Sequence, residues 1–326
     1  MTRTRAIAAL LLATTAGPLA GCADPGERPG GEPDTTSSLA APSPTPSLAA
    51  PSPTPSPAEA ADGPINPVPA GYTGRFRIAA MVLENAGHGP QVCIGAFATD
   101  ATVATSDPPL CGGPDVVGWS WGGVPHESRN GTTWGGYVLV GTFDGARFTL
   151  TEPARPASSA DYPKRPWPDY TSPCPEPPGG WRPVDPKKTT LDTLDRVFGV
   201  ARALPDYAGL WINQLPPSGI GGLWIAELTV VNVRFTRDLS RHEAELRKVW
   251  GGPLCVTSAR YTEARLWAIV RELDAPPRRF HYAESDVVRN RIDLGVWVAD
   301  LAWQQELDAR YGPGAVRLVG DLQPLD

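Results

Sequence analysis

Apolar and polar positions change rhythm along the chain. Residues Ala6–Ala20 form a largely apolar run of fifteen, interrupted by Gly17 and Pro18 and preceded by Arg3 and Arg5. That is too short to span a bilayer comfortably and has the shape of a signal-peptide core. From residue 23 to residue 70 no pattern exists: the segment has no aromatic residue and thirteen Pro. Leu39–Ser47 reads LAAPSPTPS and Leu48–Ser56 repeats it. Such a stretch cannot bury apolar surface and is expected to stay disordered or polyproline-like. Then Arg75–Leu83 alternates, with Phe76, Ile78 and Ala80 in phase, as a half-buried strand does. Short apolar runs at Gln91–Phe97, Asp115–Trp121, Tyr137–Thr142 and Ala146–Leu150 follow. Asn130-Gly131 and Asp144-Gly145 mark tight turns between them. Five short strands in about eighty residues suit a small β-barrel.

A mixed rhythm begins near residue 205. Gly222–Phe235, Leu254–Thr257, Ile292–Val298 and Ala315–Leu322 read as strands. Helical spacing runs through Leu239, Glu243, Leu246 and Val249, with Ser240 and Glu243 spaced as a capping box. Thr262–Leu273 places Leu266, Ile269, Val270 and Leu273 on one helical face, and Ala299–Tyr311 is a helix stopped by Gly312 and Pro313. The order β-α-β-α-β-α-β predicts helices on one sheet, a ferredoxin-like sandwich. Between the two regions, residues 152–188 hold eleven Pro. The expected organisation is a leader (1–21), a Pro/Ser-rich tether (22–71), a small OB-like β-barrel (72–151), a Pro-rich join (152–204) and an α+β domain (205–326).

The apolar leader ends in Leu19-Ala20-Gly21-Cys22. This resembles the lipobox of bacterial lipoproteins, in which small residues precede a Cys that is diacylglyceryl-modified and becomes the first mature residue. The resemblance implies a lipid-anchored protein at the extracytoplasmic face of the cell membrane, with the bilayer as partner through acylated Cys22. One acyl chain anchors only marginally, and two or three hold stably. Fully extended, the tether could carry a domain up to roughly 150 Å from the lipid, at about 3.1 Å per residue. Gly89-Pro90, Cys93, Pro108-Pro109, Cys111, Gly118-Trp119 and Gly141-Thr142 also resemble a group of actinobacterial envelope proteins with an OB-like β domain. That likeness brings no activity with it.

Charge and cysteine content narrow the function. Lys+Arg 29 against Asp+Glu 35 gives a net charge of -6, and removing Arg3 and Arg5 with the leader leaves 27 minus 35, or -8. An acidic chain argues against nucleic acid as a partner. With Cys22 committed to lipid, four of the five Cys remain, an even number suited to two disulfides in an oxidising compartment. Three pairings exist; Cys93 with Cys111, and Cys174 with Cys255, are expected. The first closes a loop inside one region, and the second staples the Pro-rich join onto the other. No Cys-x-x-Cys pair argues for a metal, and no cofactor is implied.

Candidate chemistry is sparse. His88, His126, His242 and His281 lie in no recognised motif, and no Gly-x-Ser-x-Gly elbow is present. His242, between Arg241 and Glu243, is expected to be exposed. Asp286, Asp293 and Asp300 are scattered at element ends and form no defensible carboxylate pair. Trp119 and Trp121 alternate along an expected strand, which would place both on one face able to stack a glycan or a protein partner, or to fill a small core. The reading is a non-catalytic binding or assembly module. The alternative is an envelope hydrolase whose site assembles only in space.

Overall fold

The computed structural model describes residues 63–93, 111–164, 168–216 and 225–325. The leader, Cys22 and the tether up to residue 62 lie outside them. The described chain is α+β, with four α-helices and strands in several sheets. None of those helices is long and apolar enough to cross a membrane.

The first region is built on β2 (Phe76–Asn85), which pairs antiparallel with β6 (Thr132–Phe143) from Phe76↔Gly141 to Asn85↔Thr132. The alternation in β2 does what a period of two requires. Phe76, Ile78, Ala80 and Val82 are buried in one cluster with Tyr137, Leu139 and Phe148. Asn130 and Gly131 both have positive φ, 52° and 78°. They form the two-residue loop that turns β5 (Glu127–Arg129) into β6, with the twist a hairpin needs. Asp144 accepts from the backbone N–H groups of Ala146 and Arg147, fixing the turn into β7 (Arg147–Leu150). β3 (His88–Cys93) pairs with β2, β4 (Asp115–Val117) with β3, and β7 with both β4 and β6. The β4–β7 contact is parallel. The β3–β4 contact is one residue pair, Gln91↔Asp115, so this seam is thin. β8 (Arg155–Pro156) adds to β6.

The second region departs from the single sheet expected of a ferredoxin-like sandwich. It contains two three-stranded sheets. One holds β9 (Tyr207–Gln214), β10 (Thr229–Phe235) and β11 (Leu254–Ser258). The other holds β12 (Tyr282–Asp286), β13 (Arg291–Val296) and β15 (Val316–Gly320). In each, the first two strands are antiparallel and the last two are adjacent and parallel. The crossovers are α2 (Leu239–Arg247) and α4 (Leu301–Tyr311). A ferredoxin-like fold splits its βαβ units with an intervening strand, and these are not split.

Each sheet is preceded by its own helix, α1 (Leu191–Ala203) or α3 (Glu263–Leu273), so the helices and the strands of these two sheets follow the order α-β-β-α-β twice. The physical reason for two sheets is two cores. Leu194, Val197, Leu246 and Trp250 bury Val231 and Val233, while Leu266, Ile269, Trp303, Leu307 and Tyr311 bury Ile292, Leu294 and Leu318. Glu245-Leu246 stands before Trp250-Gly251 at the same spacing as Glu306-Leu307 before Tyr311-Gly312. Tyr311, which ends α4, and Trp250, three residues past the end of α2, are each buried in their own core.

The two regions are sewn together crosswise. β1 (Pro67–Val68) runs parallel to β14 (Ala299–Asp300), and Ile65 bridges Val319. In return, β16 (Gln323–Pro324) pairs with β2, and Leu322 is fully buried in the core of the first region.

Candidate functional site

Both expected disulfides are present. Cys93 bonds Cys111 across 18 residues, and Cys174 bonds Cys255 across 81. The first ties the end of β3 to the approach to β4. The second pins the Pro-rich join to β11, an edge strand of its sheet.

The two tryptophans come together, though not by strand alternation. β4 stops at Val117, and Gly118 takes a φ of +83°, so the expected strand Asp115–Trp121 is cut short. The loop that follows returns Trp119 and Trp121 over the end of the first region. Their rings meet edge to face at 5.0 Å, and both meet Tyr137, at 4.8 and 6.2 Å. Both are half-buried against the core. The Trp121 indole N–H donates to the Glu84 carboxylate. The Trp119 indole nitrogen is enclosed and finds no acceptor among the described residues. The Tyr137 hydroxyl donates to the Pro125 carbonyl at 2.5 Å, and burial pushes its pKa up. Exposed His126 lies 5.4 Å from the Trp121 ring. The rim thus offers aromatic surface, a carboxylate and an imidazole. It can stack against apolar faces and accept hydrogen bonds. Sequence reasoning missed Glu84, although the signal was there: it is a carboxylate in the inward phase set by Phe76, Ile78, Ala80 and Val82.

The histidines divide differently from expectation. His88 is exposed beside Gln91, at 3.2 Å. His242 is a correction: it is 1% exposed. It stands one turn before Leu246 on the inward stripe of α2, so its charged neighbours in sequence point elsewhere. Its ring stacks on Phe235 at 4.2 Å, and Nε2 lies 3.8 Å from the Asp206 carboxylate. His281 meets Asp321 at 2.6 Å. In a hydrolytic triad the acid orients one imidazole nitrogen and the other faces the nucleophile. Here the second nitrogen, Nδ1, is enclosed and has no partner among the described residues. The pair therefore ties the entry to β12 to the turn after β15.

The scattered carboxylates are all in structural use. Asp293 receives Arg317 and Arg291, Asp286 receives Arg289 and Arg291, and Asp300 caps α4 through the N–H groups of Ala302 and Trp303. No group of His, Cys, Asp and Glu among the described residues is arranged to hold a metal ion. No family model matches the chain, and no curated protein is significantly similar to it.

Proposed function

We propose that the protein is a lipid-anchored binding or assembly module on the extracytoplasmic face of a bacterial cell membrane. The observation that carries this reading is the cysteine pairing. Of five Cys, four are consumed in two bridges. The one left over is Cys22, at the end of the apolar leader where a lipoprotein carries its acyl chains. Disulfides persist in oxidising compartments, which supports an exported protein. The circuit β2–β3–β4–β7–β6, returning to β2, with its parallel contact between β4 and β7, supports an OB-type barrel for the first region. The ligand-facing rim in this reading is Trp119 and Trp121 with Glu84 and His126, and the partner is an envelope protein or glycan.

A hydrolase is the second reading, favoured by the His281–Asp321 hydrogen bond. It is weakened by the enclosure of His281 Nδ1.

Membrane fractionation of Cys22→Ala tests the anchor. The variant is expected to leave the membrane fraction or to accumulate as uncleaved precursor. Anchoring equal to the wild type would overturn the reading.

A further inference from the structure

The segment from residue 168 to residue 178 lies across the second sheet face of the β9–β10–β11 unit, the face turned away from its helices. Trp211, Asn232 and Cys255 are cross-strand neighbours, so their side chains form one row over three strands. The segment is anchored at both ends of that row. Cys174 bonds Cys255, and the Trp211 indole N–H donates to the Tyr170 carbonyl at 3.2 Å. The outer strands of such a trio lie about 10 Å apart, a span that four residues cover when extended.

The strap offers few backbone donors of its own. Five of its eleven residues are proline and have no N–H to donate. Its links to the sheet include the Cys174–Cys255 bridge and the Trp211–Tyr170 hydrogen bond, and burial, then the nearby Asp286 and Glu284 carboxylates, raise the pKa of its Tyr170. Its outer surface is open, with Tyr170 41% exposed, while Trp211 beneath it is 6% and Asn232 1% exposed. The fit under the strap is also imperfect. Asn232 Oδ1 and Ser172 Oγ are both enclosed without partners. A permanent core satisfies such groups. The hydrophobic contacts that hold the sheet together, Leu194, Val197, Leu246 and Trp250, are all on the opposite face.

We propose that this strap is a redox-released cover: reduction of Cys174–Cys255 lifts it and uncovers Trp211 and Asn232 while both sheets stay folded. The reductant is a dithiol. One thiolate attacks the half-buried Cys174 sulfur, forming a mixed disulfide, and the Cys255 thiolate leaves. The second thiol then attacks the mixed disulfide and releases the Cys174 thiolate. Two electrons and two protons pass to the protein, and the dithiol ends as a disulfide. The inference goes beyond the binding reading and holds whether or not the chain is acylated.

Hydroxyl-radical footprinting of the intact mature protein, with and without dithiothreitol, tests it by peptide mass spectrometry. The expected result is free thiols at Cys174 and Cys255, a several-fold rise in Trp211 oxidation, and no change at Trp250, which is 0% exposed on the helix side. Cys174→Ser should show the same Trp211 reactivity with no reductant. The proposal falls if the bridge resists reduction in native buffer, or if Trp211 stays protected once the thiols are free or in Cys174→Ser. It falls equally if Trp211 and Trp250 become reactive together in either experiment.

Discussion

Removing the Cys93–Cys111 bridge by the double replacement Cys93→Ala with Cys111→Ala has a magnitude that follows from the loop it closes. Its 18-residue separation gives an unfolded-state entropy restriction of about 11 cal/mol/K, or about 3 kcal/mol at 25 °C. For a folded region of this size, each kcal/mol moves the melting temperature by about 2–4 °C, so a fall of roughly 6–12 °C is expected. A second contribution comes from the native state. The bridge sits beside the thin β3–β4 seam, where Gln91↔Asp115 is the one paired position and the Val92 N–H reaches the Pro114 carbonyl at 2.9 Å. Gly113 passes so close to the Val92 carbonyl that a Cβ there would lie 1.7 Å from its oxygen. Losing the bridge frees that approach, so the measured cost should equal or exceed the entropic value. Urea titration followed by tryptophan fluorescence provides the assay, with wild type and variant compared under oxidising conditions. A loss under about 1 kcal/mol would mean that the bridge does not restrict the unfolded chain as the loop relation requires, and the reasoning would be wrong.

Two further replacements probe single contacts. Gly295→Ala places a Cβ 1.9 Å from the ring of Tyr282, its cross-strand neighbour, and should cost about 2 kcal/mol by overpacking; thermal melts should show recovery when Tyr282→Leu is added, and no recovery would place the strain elsewhere. Asp161 is hydrogen-bonded by the Arg155 guanidinium and by the backbone and hydroxyl of Ser158, which hold its carboxyl well below the usual carboxylate range. A depressed folded-state pKa stabilises above about pH 4 and loses that contribution as the pH falls further. Asp161→Asn should therefore melt below wild type at pH 7, with the gap narrowing as the pH falls below about 4; a gap that does not shrink between pH 7 and about pH 2 would show that charge is not its cause.

What could be read from the chain depended on how local the cause was. Asn130-Gly131 and Asp144-Gly145 were legible because each turn is settled by its own backbone and side chain. The cysteine pairing was legible because position along the chain already separated the two pairs. Helix α1 was hidden by the proline-rich composition around it, although Thr190 and Thr193 form a reciprocal cap and Leu194, Val197 and Ala201 line one face. The number of sheets was not legible. Helical and strand periodicity specify which face is apolar, and both one sheet and two can bury the same faces. His242 was misplaced because its immediate neighbours are charged, whereas burial on a helix is decided by residues three and four away. The Trp119–Trp121 meeting was foreseen for a strand and is produced by a loop, since Gly118 turns the chain before the alternation can act.

The crosswise pairing of residues 65–68 with β14 and β15, and of residues 323–325 with β2, decides how this protein would carry a mechanical load. A pull arriving from the N-terminal side meets β1 first, and β1 lies in parallel register on the far module instead of on the strand that follows it in the chain. The tension is thus handed to the C-terminal module before it reaches β2. Proteolytic trimming at either place would likewise unfasten a seam belonging to the other half of the fold.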